Sequence, residues 1–506
     1  MQKLVLGLIT LGAFLAAPWL TNEFLDGNSL PLAFLFGIGF LLLFIFVLRD
    51  NCWIVVPLCL PMTGSLHFLP IKFSPAELSI LLVIGYVVLQ MFMTERRSIT
   101  LGPPQIWIPG ILFAGVLLYH WGKGGGLGIS MFGGEASGGR RFFTILSGML
   151  ALPALLWFPL QNSPWLSRVP LLYLIGSLLE FTPFALSSAV PALAPYIYRV
   201  YSSINFEAYA GAQAFRDDSM VRVGQIGLLC LAFQLALLCY FPPRDWIRPS
   251  RFFVIPLSIL SLVGTIWSGF RSMLFNYVVT AFVALFLRAR FLLFLGIPFA
   301  VGIITLLVLG QGSLFELPFA IQRTLSPFPG KWKREAMNSA DASNDFRSSI
   351  QKVYKSDFME KAGWLGDGYK FDAKYMEARS VDIGTRKLEE SGDSFAKGFI
   401  IARDHHVGWV ALHHVTGWIG FGAFVLLCLG SFFYVWRHVL QPHLGDIPPE
   451  QVWATALITQ NIISFFSVFG AIHVFIPPFC VFLALAIQSF RVKSVPVYPQ
   501  QIPVTA

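Results

Sequence analysis

Charge is scarce in this chain. Only 12% of its 506 residues are Asp, Glu, Lys or Arg, against 56% hydrophobic ones, and no compact soluble domain can hide that much apolar surface from water. Cysteine is scarce as well. The six present (Cys52, Cys59, Cys230, Cys239, Cys428, Cys480) lie in or beside apolar segments with no CxxC or Cys/His zinc spacing, which argues against a disulfide framework or a cysteine metal site. There is no internal repeat, no low-complexity segment and no basic patch interleaved with aromatics. The net charge of +9 is therefore no nucleic-acid footprint, and it fits the Lys and Arg that collect where membrane helices end in the cytoplasm. Met1-Gln2-Lys3 followed by Leu4 to Leu20 resembles a secretory signal, but no small-x-small cleavage site stands before Trp19 and a further apolar stretch follows, so it counts as the first helix.

What remains is a mean hydropathy of +0.67 and a series of apolar runs. A membrane helix needs about 20 largely apolar residues, which predicts crossings near 4–20, 30–48, 52–70, 75–93, 105–121, 142–160, 169–190, 221–241, 252–269, 271–287, 291–311, 409–436, 452–469 and 472–490. The third run carries Pro57 and Pro61, each of which removes a backbone donor, so it is kinked or re-entrant if it enters the membrane. The expected fold is all-α, a polytopic membrane helix bundle of about 12–14 transmembrane helices. Its parts are an N-terminal transmembrane bundle (1–195), further helices bearing outer-face arginines (196–314), one long extracytoplasmic loop with short helices (315–404), C-terminal transmembrane helices (405–493) and a disordered tail (494–506).

Orientation follows from Arg49, Arg96 and Arg97, Arg168, then Arg244, Arg248 and Arg251, then Arg288 and Arg290, Arg437, and finally Arg491 and Lys493. All fall on one side of fourteen crossings, which makes that side and both termini cytoplasmic. Arg140 and Arg141 are the exception. The same bookkeeping gathers the loop from Tyr198 to Arg222, the turn Ser268-Gly269-Phe270-Arg271-Ser272, the long insert and His405-His406 on the opposite face.

The insert between Phe315 and His405 holds 14 of the 27 acidic and 15 of the 36 basic residues. Phe346, Ile350, Val353 and Tyr354 recur at helical spacing in its middle. Gly363-Trp364-Leu365-Gly366-Asp367-Gly368 follows as a glycine-rich turn, and Asp372 to Asp393 reads as a solvated surface of mixed sign. Immediately after come His405-His406 and then Gly417-Trp418-Ile419-Gly420.

Ser268-x-x-Arg271-Ser272 heading a membrane helix, Arg347 ahead of the Gly-x-Gly at Gly366 and Gly368, and His406 with Gly417 and Gly420 eleven and fourteen residues beyond together resemble the O-antigen ligase and polymerase superfamily. The resemblance covers roughly residues 200 to 437. Two positions depart from the pattern: Val407 stands where the family has Asn, and Phe270 interrupts the small residues before Arg271. The resemblance implies a GT-C-like glycosyltransferase of the bacterial inner membrane. It would work on surface polysaccharide such as lipopolysaccharide, with its site facing the periplasm or exterior, and move a glycan from a polyprenyl-diphosphate carrier to a hydroxyl of a glycan, lipid or protein acceptor. No metal or other cofactor and no nucleic acid takes part; the partners are these substrates and membrane lipids.

These residue types suit that reaction. Guanidinium groups hold diphosphate oxygens bidentately without losing their proton, which makes Arg271, Arg216, Arg222 and Arg347 candidates for the leaving group; Arg271 as a snorkelling anchor is the plain alternative. An acceptor hydroxyl needs a base, and His406 is the candidate, with His405 as the alternative. Four histidines in ten residues, His405, His406, His413 and His414, also invite a zinc reading, which the lack of a carboxylate at HExxH spacing argues against; His413 and His414 are expected to be aromatic-rim or packing residues. Tandem Asp217-Asp218 reads as loop charge. A transporter or flippase would draw on Glu180, the one carboxylate deep in an expected span, and an inactive scaffold of an envelope assembly complex is the third alternative.

Overall fold

The computed structural model describes residues 48–67, 73–93, 101–123, 139–160, 163–202, 223–246, 248–369, 392–401, 403, 405–441 and 446–491. The first two expected crossings, Arg216 and Arg222, Asp217-Asp218, nearly all of the charged stretch 372–393 and the C-terminal tail lie outside them. The described chain is all-α apart from one two-stranded ribbon. In order, it forms α1 (Val55–Cys59), β1 (Ser65–Leu66), α2 (Pro75–Met93), α3 (Pro104–Lys123), α4 (Gly139–Trp157), α5 (Val169–Ala189), α6 (Ala194–Val200), β2 (Tyr201–Ser202), α7 (Gly224–Tyr240), α8 (Val254–Trp267), α9 (Arg271–Arg288) and α10 (Arg290–Gly310). The insert supplies α11 (Phe319–Leu325), α12 (Arg334–Asp357), α13 (Met359–Ala362) and α14 (Gly392–Ile401), and the chain ends with α15 (Gly408–Val439), α16 (Pro449–Ser467) and α17 (Ile472–Arg491).

Among the described residues, seven helical stretches are long and apolar enough to cross a membrane, and α3, α7, α10 and α16 occupy four further expected crossings. The chain is a multi-pass membrane protein. The run 52–70 is corrected. A 3-10 turn over Arg49–Ile54 leads into α1, which stops at Cys59, because Pro57 and Pro61 have no N–H to carry the ladder on. The chain then turns, and β1 pairs antiparallel with β2. The Tyr201 hydroxyl is hydrogen-bonded to the buried Glu180 carboxylate and accepts the Gly64 N–H at 2.9 Å, so the one deep carboxylate holds this ribbon in place.

The centre of the bundle is α17, buried along most of its length and packed against α4 and α16. Gly148 lets α4 approach: a Cβ there would lie 2.7 Å from Pro477 Cα. The Gln488 amide donates to the carbonyls of Leu155, Leu156 and Phe158 at 3.2, 3.1 and 2.8 Å, partnering acceptors that the C-terminus of α4 leaves open. At the other end of α2, Ser74 and Glu77 form a reciprocal capping box, each backbone N–H bonded to the other's side chain at 3.1 Å. Glu77 also pairs with the buried Arg140 and takes the Thr144 hydroxyl at 2.6 Å.

Candidate functional site at the insert junction

The junction is built on a broken helix. Gly417, inside α15, has φ +62° and ψ −169°, a combination open essentially to glycine alone. An unbroken helix would bond the N–H of residues 418 and 419 to the C=O of 414 and 415. The Gly363–Gly368 turn enters that gap and supplies all four partners. Trp418 and Ile419 donate to the carbonyls of Gly363 and Trp364 at 3.2 and 3.0 Å, while the N–H groups of Asp367 and Gly368 donate to the carbonyls of His414 and Val415 at 2.8 and 3.0 Å. The approach is close enough that a Cβ on Gly366 would stand 2.5 Å from Gly417 N. Two sequence elements 50 residues apart are thus one structural unit.

The turn brings Asp367 to the histidines. The Asp367 carboxylate lies 3.5 Å from His414 Nε2, and His414 Nδ1 lies 2.7 Å from His405 Nε2. The Arg403 guanidinium rests against the His414 ring and 3.8 Å from Asp367. Arg141 donates to the Arg403 carbonyl at 2.7 Å and lies over the Tyr369 ring. His120 closes the far side, its Nε2 2.6 Å from the Leu365 carbonyl oxygen. His405 is 2% exposed; burial first, then coupling to the adjacent His414 ring and the charges of Arg403 and Arg141, hold its pKa well below the ordinary 6.5, so it is neutral at pH 7. Burial also lowers Arg403 and pushes Tyr369 up to about 12. His413 meets the packing expectation, hydrogen-bonded to the Tyr354 hydroxyl at 2.5 Å and edge-on to Trp418. His414 is packed as well, its ring against Tyr354 and Phe358, and the glycine turn in addition places a carboxylate beside it that sequence spacing could not reveal.

His406 points the other way. At φ +51°, it is half-buried with its ring among Phe346, Phe399 and Phe469, centroids 6.1, 5.8 and 5.1 Å away. The helix that fixes this pocket is α12. Its Ile350, Val353 and Tyr354 pack with Ala396 and Ile400 of α14 and with Val407 and Val410 into a small core of their own. Arg271, the first residue of α9, donates to the Ala340 carbonyl at 2.9 Å and lies 3.4 Å from Asn344 Oδ1. Ala340, Asn344 and Arg347 are spaced i, i+4, i+7 and share one face of α12. Phe346, two residues from Asn344 and so about 200° around the axis, carries His406. The middle of α12 therefore touches Arg271 on the face that bears Arg347 and His406 on a different face. Arg347 is half-buried, and desolvation lowers its pKa.

Sequence reasoning missed Arg323, Arg403, Arg141 and Asp367 as parts of this junction. Arg323 on α11 is buried and lies 3.4 Å from the Gly269 carbonyl oxygen, against the turn that starts α9. A signal for Arg141 existed: Arg140-Arg141 was the pair that broke the charge rule, and both side chains turn inward to partners. Among the described residues, no three His, Cys, Asp or Glu side chains converge as metal ligands do. In comparison with known proteins, the chain matches no family model, and no curated protein matches it.

Proposed function

We propose that the chain is a membrane glycosyltransferase that moves a saccharide from a polyprenyl-diphosphate carrier to an acceptor hydroxyl at the face where the insert meets α15, as the resemblance to O-antigen ligases and polymerases suggests. The observation that carries this reading is that the middle of α12 holds Arg271 along the face that bears Arg347 and packs His406 against Phe346 on another. His406 takes the acceptor proton, the acceptor oxygen bonds to the anomeric carbon, and the bond from that carbon to the diphosphate oxygen breaks. The charge left on the diphosphate is held by the guanidiniums, whose planar donors fit two oxygens at once. His405 remains the alternative base, but its ring is turned inward to His414, whereas His406 is half-exposed to an arriving hydroxyl. The compartment belongs to the same proposal: the bacterial inner membrane, termini in the cytoplasm and site outside.

The test uses full-length protein in liposomes with polyprenyl-diphosphate oligosaccharide extracted from source membranes. Release of free polyprenyl diphosphate together with a glycosylated acceptor is expected, unaffected by chelator. Intact donor in the presence of every acceptor class, with the donor crossing the bilayer instead, would establish the transporter. Cysteine labelling near Lys361 from outside and near Arg248 and Arg290 from inside checks the orientation; labelling of the insert from the cytoplasm would remove the site from the proposed face.

A further inference from the structure

Where the insert docks on α15, two indoles stand outside the packed core. Trp364, in the glycine turn, is 74% exposed, and Trp418, the first residue after the break, is 40% exposed. An exposed aromatic pair of this kind marks a contact surface. Its walls are fixed by the backbone: the Gly363 carbonyl accepts the Trp418 N–H, and the Trp364 carbonyl accepts the Ile419 N–H. The Trp418 ring is also held edge-on to His413 and Phe421, centroids 4.2 and 5.6 Å away. Together with Lys355, Met359, Glu360 and Gly363, the two tryptophans line an open groove of about 410 Å³.

The groove lies at the end of a lipid-facing stripe. The exposed residues of α15 are Trp418, Ile419, Leu426, Leu429, Phe433 and Arg437, and at about 100° per residue all of them fall within an arc of about 100°. From Trp418 to Arg437 the helix rises about 28 Å, close to the ~30 Å of a bilayer's hydrocarbon. An indole at one end and a guanidinium at the other are the side chains that settle at the two interfaces. Trp418 therefore sits at the level of the headgroups on the insert side, and the groove opens there.

Its side chains suit one headgroup chemistry. Lys355 and Glu360 bring one charge of each sign, both exposed, with the Lys355 ammonium 5.7 Å above the Trp409 ring. Indole faces and a carboxylate attract an ammonium, and a lysine attracts a phosphate. A headgroup with a phosphate alone would bring Glu360 a like charge, whereas one with both groups satisfies both residues. We propose that the groove binds the headgroup of a zwitterionic phospholipid, its ammonium at Glu360 and the two indoles, its phosphate at Lys355 and its acyl chains along the α15 stripe. The bound lipid holds the glycine turn at the membrane surface. This site needs only that α15 crosses a membrane, so it stands or falls independently of glycan transfer.

The experiment is native mass spectrometry of delipidated full-length protein titrated with phosphatidylethanolamine or with phosphatidylglycerol, which has the same phosphate without the ammonium. One phosphatidylethanolamine is expected to be retained, at least about tenfold more tightly than phosphatidylglycerol. Glu360→Gln and Trp364→Leu each remove that preference; Glu335→Gln, an exposed acid of α12 outside the lining, keeps it. Both groove residues are exposed, so neither change opens the core, and unaltered thermal unfolding verifies this. Equal retention of the two lipids, or an unaltered preference in either groove variant, overturns the proposal. Displacement of the lipid by free phosphoethanolamine at equal concentration overturns it too, because the occupant would then be a soluble amine and not a membrane lipid.

Discussion

The two sides of His405-His406 differ more than the adjacency of these residues suggests. On one side Arg271 and Arg347 are half-buried, and Arg271 leans on the Ala340 carbonyl and the Asn344 amide of α12. On the other, Arg141 and Arg403 are fastened to Asp367, His414, Tyr369 and a backbone carbonyl around a neutral, buried His405. In the first arrangement the bonds from Arg271 to the Ala340 carbonyl and the Asn344 amide go to neutral acceptors, weaker than a charged partner. The second uses its charge to hold the protein together. His405 belongs to the second arrangement, while the His406 ring sits apart among Phe346, Phe399 and Phe469.

The sharpest break of this contrast is His406→Ala. It is expected to lower transfer by about 10²–10⁴, the contribution of a general base, with thermal unfolding unchanged and donor accumulating, while His405→Gln lowers stability first. Equal, mild effects on transfer would erase the distinction. Next comes Arg271→Lys, which keeps charge and loses the planar fork; a loss of one charge-assisted hydrogen bond, about 1.5–3 kcal/mol, predicts a roughly ten- to hundredfold lower rate at normal protein levels. Near-normal activity would make Arg271 an interface anchor.

On the other side, Arg403→Ala is expected to cost about 1–3 kcal/mol of stability, measured by thermal unfolding in a fixed detergent, before any effect on donor binding is seen. The smallest expected effect is with pH. The unfolded chain protonates His405 near the ordinary 6.5 and the folded chain resists, so the unfolded state binds more protons and stability falls as pH drops below about 6.5. His405→Gln should flatten that part of the profile; a profile that stays as steep would place the titration elsewhere.

The helices were legible because length and apolarity suffice to mark a crossing, and the 3.6-residue recurrence of Phe346, Ile350, Val353 and Tyr354 marked α12, although not its start at Arg334. Hydropathy could not tell which helices face protein. The span Ile472–Arg491 is 83% buried and Pro249–Trp267 is 17% buried at nearly the same mean hydropathy, 1.8 and 1.6, since a lipid-facing and a core helix are both apolar all round. The run at 52–70 failed for the opposite reason: its composition suits a crossing, but two prolines withdraw the donors. Of the candidate site, Arg271, Arg347 and His406 were visible in the sequence as an ordered set, and Arg271 and His406 both contact the middle of α12, on different faces. Asp367, Arg403 and His414 were not visible, because their meeting depends on a loop entering a helix, a long-range event without periodicity.

The break at Gly417 also sets an order of assembly. Until the Gly363–Gly368 turn arrives, α15 has two bare N–H groups and two bare carbonyls in its apolar surroundings, each costly to leave unpaired in lipid, and the turn cannot arrive until the insert has been delivered to the same side. The ladder of α15 is therefore complete only when that turn is in place, and the four backbone bonds fasten the membrane bundle to the polar insert.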